Sequence, residues 1–155
     1  MTGGISTGKS TVSDYLANRY QLDILDADVY AKEAVELDSP ILEEIVKRYG
    51  REILLSDRSL DRQRLGNIIF QNREEKIWLE KQIHPFVRDR FVRDIEKLDA
   101  EIIVLAIPLL FEAKMTDLVS EIWVVYCNRD LQLERLQKRD RLTRQQAKTR
   151  IESQL

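Results

Sequence analysis

Apolar positions along the 155-residue chain change their period twice. Val12, Tyr15 and Leu16 recur at helical spacing, which predicts a helix over about Lys9–Tyr20. Leu22–Leu25 is then a short, largely apolar run ending at Asp26, the length of a small strand. From Asp28 to Leu98 nearly every segment has helical spacing, interrupted at Pro40, at Gly50 and across the polar stretch Ser56–Ser59. Val87, Phe91, Ile95 and Leu98 mark the buried stripe of the last of these helices. Continuous apolar runs return at Ile102–Ala106, stopping before Pro108, and at Ile122–Tyr126, followed by Asn128. Amphipathic helices are predicted at about Asp130–Lys138 and, N-capped by Thr143, at about Arg144–Leu155.

Continuous apolar strands joined through helices indicate a parallel sheet covered on both faces, so the predicted class is α/β. The core is expected from residues 1–27 and 99–128, with a helical block over 28–98 and a basic segment over 129–155. A first strand is expected to be missing, since only Met1 precedes a Gly-rich loop of the kind that normally follows a central strand. The chain also stops within a predicted helix, where a further strand is expected.

That loop carries the first chemistry. Gly3-Gly4-Ile5-Ser6-Thr7-Gly8-Lys9-Ser10 fits G-x-x-x-x-G-K-[ST], with Thr11 beside it, and opens directly into the first predicted helix. Gly3 and Gly8 let the backbone curl so that successive N–H groups face phosphate oxygens. Lys9 adds a point charge between the β- and γ-phosphates, and the Ser10 hydroxyl is a Mg²⁺ ligand. The helix dipole favours the anion as well. Gly4, Ile5, Ser6, Thr7, Gly8, Lys9, Ser10 and Thr11 are therefore the expected nucleotide-binding residues, for ATP or GTP. A chance Gly-rich turn is disfavoured by four fixed positions, the following helix and the later parallel strands.

Asp26-Ala27-Asp28 stands at the carboxyl end of a predicted strand, where ligands collect in open α/β sheets. One carboxylate there can help hold Mg²⁺ while the other orients and deprotonates an attacking hydroxyl. The plain alternative is a strand end and a helix N-cap. Residues 129–155 carry eight Lys or Arg against four Asp or Glu, a local charge of +4. Arg135, Lys138, Arg139 and Arg141 cluster there, as a flap able to close over ATP or as a solvated, ion-paired helix. His84-Pro85 reads as a turn between two helices.

Composition narrows the remaining classes. The formal net charge is −2, which argues against a duplex-DNA binder. No apolar run approaches the ~20 residues needed to cross a bilayer, and Met1 is followed by Thr2-Gly3-Gly4 in place of a signal sequence. Cys127, the single cysteine, cannot form an internal disulfide, so a reducing cytoplasm is expected, with the thiol buried and inert. One His and one Cys exclude a zinc site and leave Cys–His catalysis without support.

Taken in order, the motifs resemble the dephospho-coenzyme A kinase family over Thr2–Gln154. They comprise Thr2-Gly3-Gly4-Ile5 leading into Gly8-Lys9-Ser10-Thr11, then Asp26-Ala27-Asp28, Leu60-Asp61-Arg62, Leu65-Gly66, Phe70 and Ile83-His84-Pro85. Pro108-Leu109-Leu110-Phe111-Glu112, Gln132-Leu133-Glu134-Arg135-Leu136, Arg139-Asp140, Ala147, Arg150-Ile151 and Gln154 follow. The resemblance implies a P-loop NTPase core, a helical region holding the acceptor, which makes one wall of its cleft, and a mobile lid matched by the segment around Arg139. It implies ATP and Mg²⁺ as the nucleotide and metal, and phosphorylation of the ribose 3′-hydroxyl of dephospho-CoA in the last step of CoA synthesis. By the same carry-over Asp28, Lys9 and Arg139 are catalytic, Arg139 also binds nucleotide, and Ser10 and Asp26 support the metal. Thr2, Asp28, His84, Pro108 and Leu109 are the implied acceptor-binding residues. No nucleic acid or membrane partner is implied.

Two departures stand out. Ser6 and Thr7 replace the Gly and Ser common in relatives, which matters where the first of these positions needs positive φ. Ala106 stands where many relatives have an acidic residue. Two other readings stay open from the residues: a different small P-loop kinase, acting on a nucleoside monophosphate or metabolite hydroxyl, and a nucleotide-binding module without turnover.

Overall fold

A computed structural model describes residues 1–153; Gln154 and Leu155, the end of the last predicted helix, lie outside the described residues. The elements are α1 (Lys9–Tyr20), β1 (Asp23–Asp26), α2 (Ala27–Glu33), α3 (Pro40–Tyr49), α4 (Arg62–Gln71), α5 (Arg73–Lys97), β2 (Ile103–Ala106), α6 (Arg129–Asp140) and α7 (Arg144–Glu152). Two compact units result: Met1–Ala27 with the chain from Asp94 on, and Asp28–Arg93.

In the first unit β1 and β2 are parallel neighbours, with Asp23 opposite Ile103 and Asp26 opposite Ala106. Beyond β2 the sheet continues through only two residues. The Met1 amine donates to Leu105 O (2.7 Å), and Ile107 N–H donates to Met1 O (2.9 Å). On the other side Thr2 N–H donates to Trp123 O and Val125 N–H to Thr2 O, each at 2.8 Å. Met1–Thr2 thus occupies the central position for which a first strand was expected.

The expected strand at Ile122–Tyr126 shrinks to one parallel bridge between Thr2 and Val124. The bridge rests on the two bonds through Thr2, short of the continuous ladder of N–H and C=O partners that a strand needs. Ile122, Trp123, Val124 and Tyr126 are exposed, Val124 at 62% and Tyr126 at 82%, and Val125 is half-buried, in place of a strand buried on both faces. In α6 and α7, Leu133, Leu136, Ala147 and Ile151 form a shared core against which Ile5 packs.

The helical unit has its own core, in which Ile45, Ile53, Leu65 and Leu79 are buried. Its elements follow local rules. Ser39 caps α3 by accepting from Leu42 N–H (3.0 Å), and Pro40 begins that helix where its missing N–H is not needed. Asp61 caps α4 through Arg64 N–H (2.9 Å). His84 and Pro85 lie inside α5, which corrects the expected turn between helices. Pro85 removes the bond to the Lys81 carbonyl, and both residues lie on the exposed side of the helix. Leu79, Val87 and Phe91 are buried at multiples of four residues and keep the helix continuous.

Arg48 joins α3 to α5. Its guanidinium donates twice to Glu75 (2.6 and 2.9 Å) and lies 4.6 Å from the Trp78 ring centre. These bonds, with a further one from the Tyr49 hydroxyl, hold the Glu75 carboxyl down at about 2 from 4.5. A depressed carboxylate contributes stability that is present above pH ~4.5 and lost as pH falls towards ~2. Glu75→Gln is therefore expected to flatten the acid limb of a chemical-denaturation series between those values. An unchanged limb would show that the carboxylate is equally depressed in the unfolded chain.

Candidate active site

The loop from Gly3 to Ser10 takes the shape its motif requires. Gly8 has φ 107°, a left-handed conformation that favours glycine, and ends the loop as the N-cap of α1. A Cβ on Gly3 would stand 2.3 Å from Val125 O, so glycine is needed there for close backbone approach. Thr7 closes the inner turn, with its N–H and hydroxyl both directed to Gly4 O (3.3 and 2.9 Å). No side chain caps the first turn of α1 and no acidic residue lies in it, so its N–H groups and dipole are left for an anion. Lys9 opens this helix with only 9% exposure.

Ser6 has φ 59°, so the position where relatives commonly have glycine does need the left-handed region. Its hydroxyl is also buried, with no hydrogen-bond partner among the described residues. The conformation costs about 1 kcal/mol for a non-glycine residue, and the orphan hydroxyl about 1–3 kcal/mol. Glycine's greater freedom when unfolded offsets only about 0.5–1 kcal/mol. Ser6→Gly is expected to raise unfolding free energy by about 1–3 kcal/mol in a denaturant titration; a loss of stability would mean that the side chain makes a needed contact.

The parallel register brings the carboxyl ends of β1 and β2 to one edge, so Asp26 stands opposite Ala106. Thr2 donates its hydroxyl to Pro108 O (3.0 Å), joining two of the expected acceptor residues. A pocket of about 400 Å³ is lined by Thr2, Gly3, Gly4, Pro108, Leu109 and Gln132, among others. Cys127 also lines it and is half-buried, in place of the buried, inert thiol expected from the strand pattern. Ala106 is fully buried. Asp28 and His84 belong to the helical unit. Asp28 is the second residue of α2, inside its first turn, so it is not the N-cap that its sequence position allows.

The basic segment meets the loop through Arg135, one of the cations clustered in the sequence, and through Gln132, which charge does not single out. Gln132 Nε2 donates to Ile5 O (2.7 Å) and Arg135 Nη1 to Thr7 O (3.2 Å). Arg139, one turn further along the same helix, donates twice to Asp140 (2.7 and 3.2 Å), which Arg150 also meets at 2.8 Å. The bonds from Arg139 hold the Asp140 carboxyl below its usual range. The i, i+3, i+7 spacing of Gln132, Arg135 and Arg139 was the available signal that one helix face serves the loop.

A family model described as dephospho-CoA kinase matches residues 1–155. The dephospho-CoA kinase of Trichormus variabilis is 58% identical over 155 residues, all of this chain and 79% of that one. The chain belongs to the dephospho-CoA kinase family. The enzyme of that name from Synechocystis is 56% identical, again over the whole of this chain and 78% of its own. A solved structure of a Thermus thermophilus protein superposes with a TM-score of 0.81 at 31% identity, covering 99% of this chain and 78% of that one. The dephospho-CoA kinase from Campylobacter jejuni gives 0.66 at 32% identity, covering 99% and 77%. The α/β core with its parallel strands is thus the family's P-loop fold.

Proposed function

We propose that the chain transfers the γ-phosphoryl group of ATP to the ribose 3′-hydroxyl of dephospho-CoA, giving coenzyme A and ADP. The observation that carries this reading is the uncapped N-terminus of α1 behind a left-handed Gly8, with Lys9 nearly buried at the same place. Family membership supports the acceptor.

In this account the backbone N–H groups of Gly8, Lys9 and Ser10 hold the phosphates. The acceptor oxygen bonds to the γ-phosphorus as the bond to the β–γ bridging oxygen breaks, and its proton passes to the Asp28 carboxylate. Lys9 and Arg139 neutralise charge that spreads over the transferring oxygens. Thr2, His84, Pro108 and Leu109 hold the acceptor. The Ser10 hydroxyl and Asp26 carboxylate are hard oxygen donors, of the kind that would hold Mg²⁺. Bound there, the ion would shield the β- and γ-phosphate charge. No helix among the described residues is long and apolar enough to cross a membrane, and we place the reaction in the cytoplasm.

Acceptor choice tests the reading. ADP release should be fastest with dephospho-CoA and clearly slower with AMP, CMP or shikimate. Preference for one of the latter would move the chain to another kinase reaction, and ATP binding without ADP release for any acceptor would leave a nucleotide-holding module.

A further inference from the structure

On the reading of residues 3–10 as a phosphate cradle, we infer that Gln132 and Arg135 are positioning residues that aim its peptide groups at the phosphates. The argument starts from the peptide bond. In a trans peptide the C=O and the following N–H point in opposite directions. The loop has no cis peptide, so each carbonyl held on one side turns the next N–H to the other. Gln132 holds Ile5 O at 2.7 Å, which directs Ser6 N–H away from α6. Arg135 holds Thr7 O at 3.2 Å, which directs Gly8 N–H the same way. The guanidinium also covers the outside of Gly8, since a Cβ there would lie 3.3 Å from Arg135 Nη1.

Backbone strain supports the same assignment. Ser6, at φ 59°, lies between the two held carbonyls. A non-glycine residue stays in that region only where its surroundings over-determine it. The bonds to Ile5 O and Thr7 O, with the Thr7–Gly4 turn, supply such surroundings. A cationic donor on Thr7 O additionally polarises that peptide and strengthens Gly8 N–H as a donor. The helix carrying Arg139 is therefore coupled to the loop that holds the phosphates, through two side chains on one of its faces.

The test uses the full chain, with tripolyphosphate as a direct probe of the cradle and steady-state ATP kinetics beside it. Gln132→Leu and Arg135→Leu should each weaken tripolyphosphate binding and raise KM for ATP by about 5- to 10-fold, as expected for losing one hydrogen bond that acts on a binding group. kcat should fall by less than about threefold, because ground state and transition state lose the same N–H alignment. Arg135→Lys, which keeps a cationic donor, should recover most of the loss. Adding Ser6→Gly to Gln132→Leu should recover part of it, since glycine holds positive φ without support.

Unchanged tripolyphosphate affinity and KM in both Leu variants, in a background where Lys9→Ala abolishes turnover, would overturn the assignment. A raised KM that Ser6→Gly does not relieve would overturn it too, in favour of direct contact between these side chains and the phosphate. If Lys9→Ala leaves turnover and tripolyphosphate binding intact, the cradle reading itself fails. Melting temperatures of all variants identify any loss that comes from unfolding, and a loss of binding that tracks a lowered melting temperature counts against positioning.

Discussion

Replacing Lys9 by alanine is expected to reduce turnover at least ~10²-fold, the scale of removing one preorganised charge from a water-poor site. The magnitude follows from burial. Lys9 is only 9% exposed and sits at the first residue of α1, where the helix offers anion-binding N–H groups but no side-chain cap. A charge in that setting is screened far less than one on the surface. Because the γ-phosphoryl group carries its charge on three spreading oxygens in the transition state, kcat should fall more than ATP affinity does. Stopped-time ADP assays on the purified variant, with its melting temperature as a folding control, provide the measurement. Near-normal turnover in a folded variant would remove the loop from the catalytic account.

Asp28→Asn is expected to lower kcat at least ~10²-fold while ATP affinity changes less than about tenfold. An alkyl hydroxyl is a poor nucleophile until it is aligned and its proton has an acceptor. General-base help of this kind is worth roughly 10²–10⁴-fold, or about 3–5 kcal/mol of barrier. The competing role is small by comparison. Asp28 lies in the first turn of the seven-residue α2, where a negative charge contributes about 0.3–1 kcal/mol through the helix dipole. The two roles therefore separate by size and by observable: one moves kcat, the other the melting temperature. Turnover that persists while stability falls would make Asp28 a helix-end charge. If ATP affinity collapses together with turnover, the carboxylate serves the metal, and Asp26 becomes the base to test next.

The amino-acid pattern was sufficient wherever the rule involved was local. The phosphate loop, α1 from Lys9 to Tyr20, the Thr143-capped start of α7 and the helical run after Asp28 all follow from spacing, capping and glycine placement within a few residues. Motif order was equally informative about the family, because Asp26-Ala27-Asp28 and Pro108–Glu112 are linear signatures. Ser6 shows how far such reading goes. A missing glycine raised the question of positive φ at that position, but only the folded loop, at φ 59°, answered it.

Other features depended on partners far away in the chain. Ile122–Tyr126 has the composition of a buried strand, yet a strand is made by its pairing, and among the described residues that pairing is the isolated Thr2–Val124 bridge. His84-Pro85 reads as a break because proline opposes helix locally; buried Leu79, Val87 and Phe91 override it along α5. In the basic segment, charge density marked Arg135, Lys138, Arg139 and Arg141 alike, whereas the contacts to the loop come from Arg135 and the uncharged Gln132 across more than 120 residues of sequence. Composition records how many cations a helix carries. Which of them reaches a given carbonyl is set by the packing of Leu133 and Leu136 with Ala147, Ile151 and Ile5, since that packing fixes the rotation of α6 against the loop.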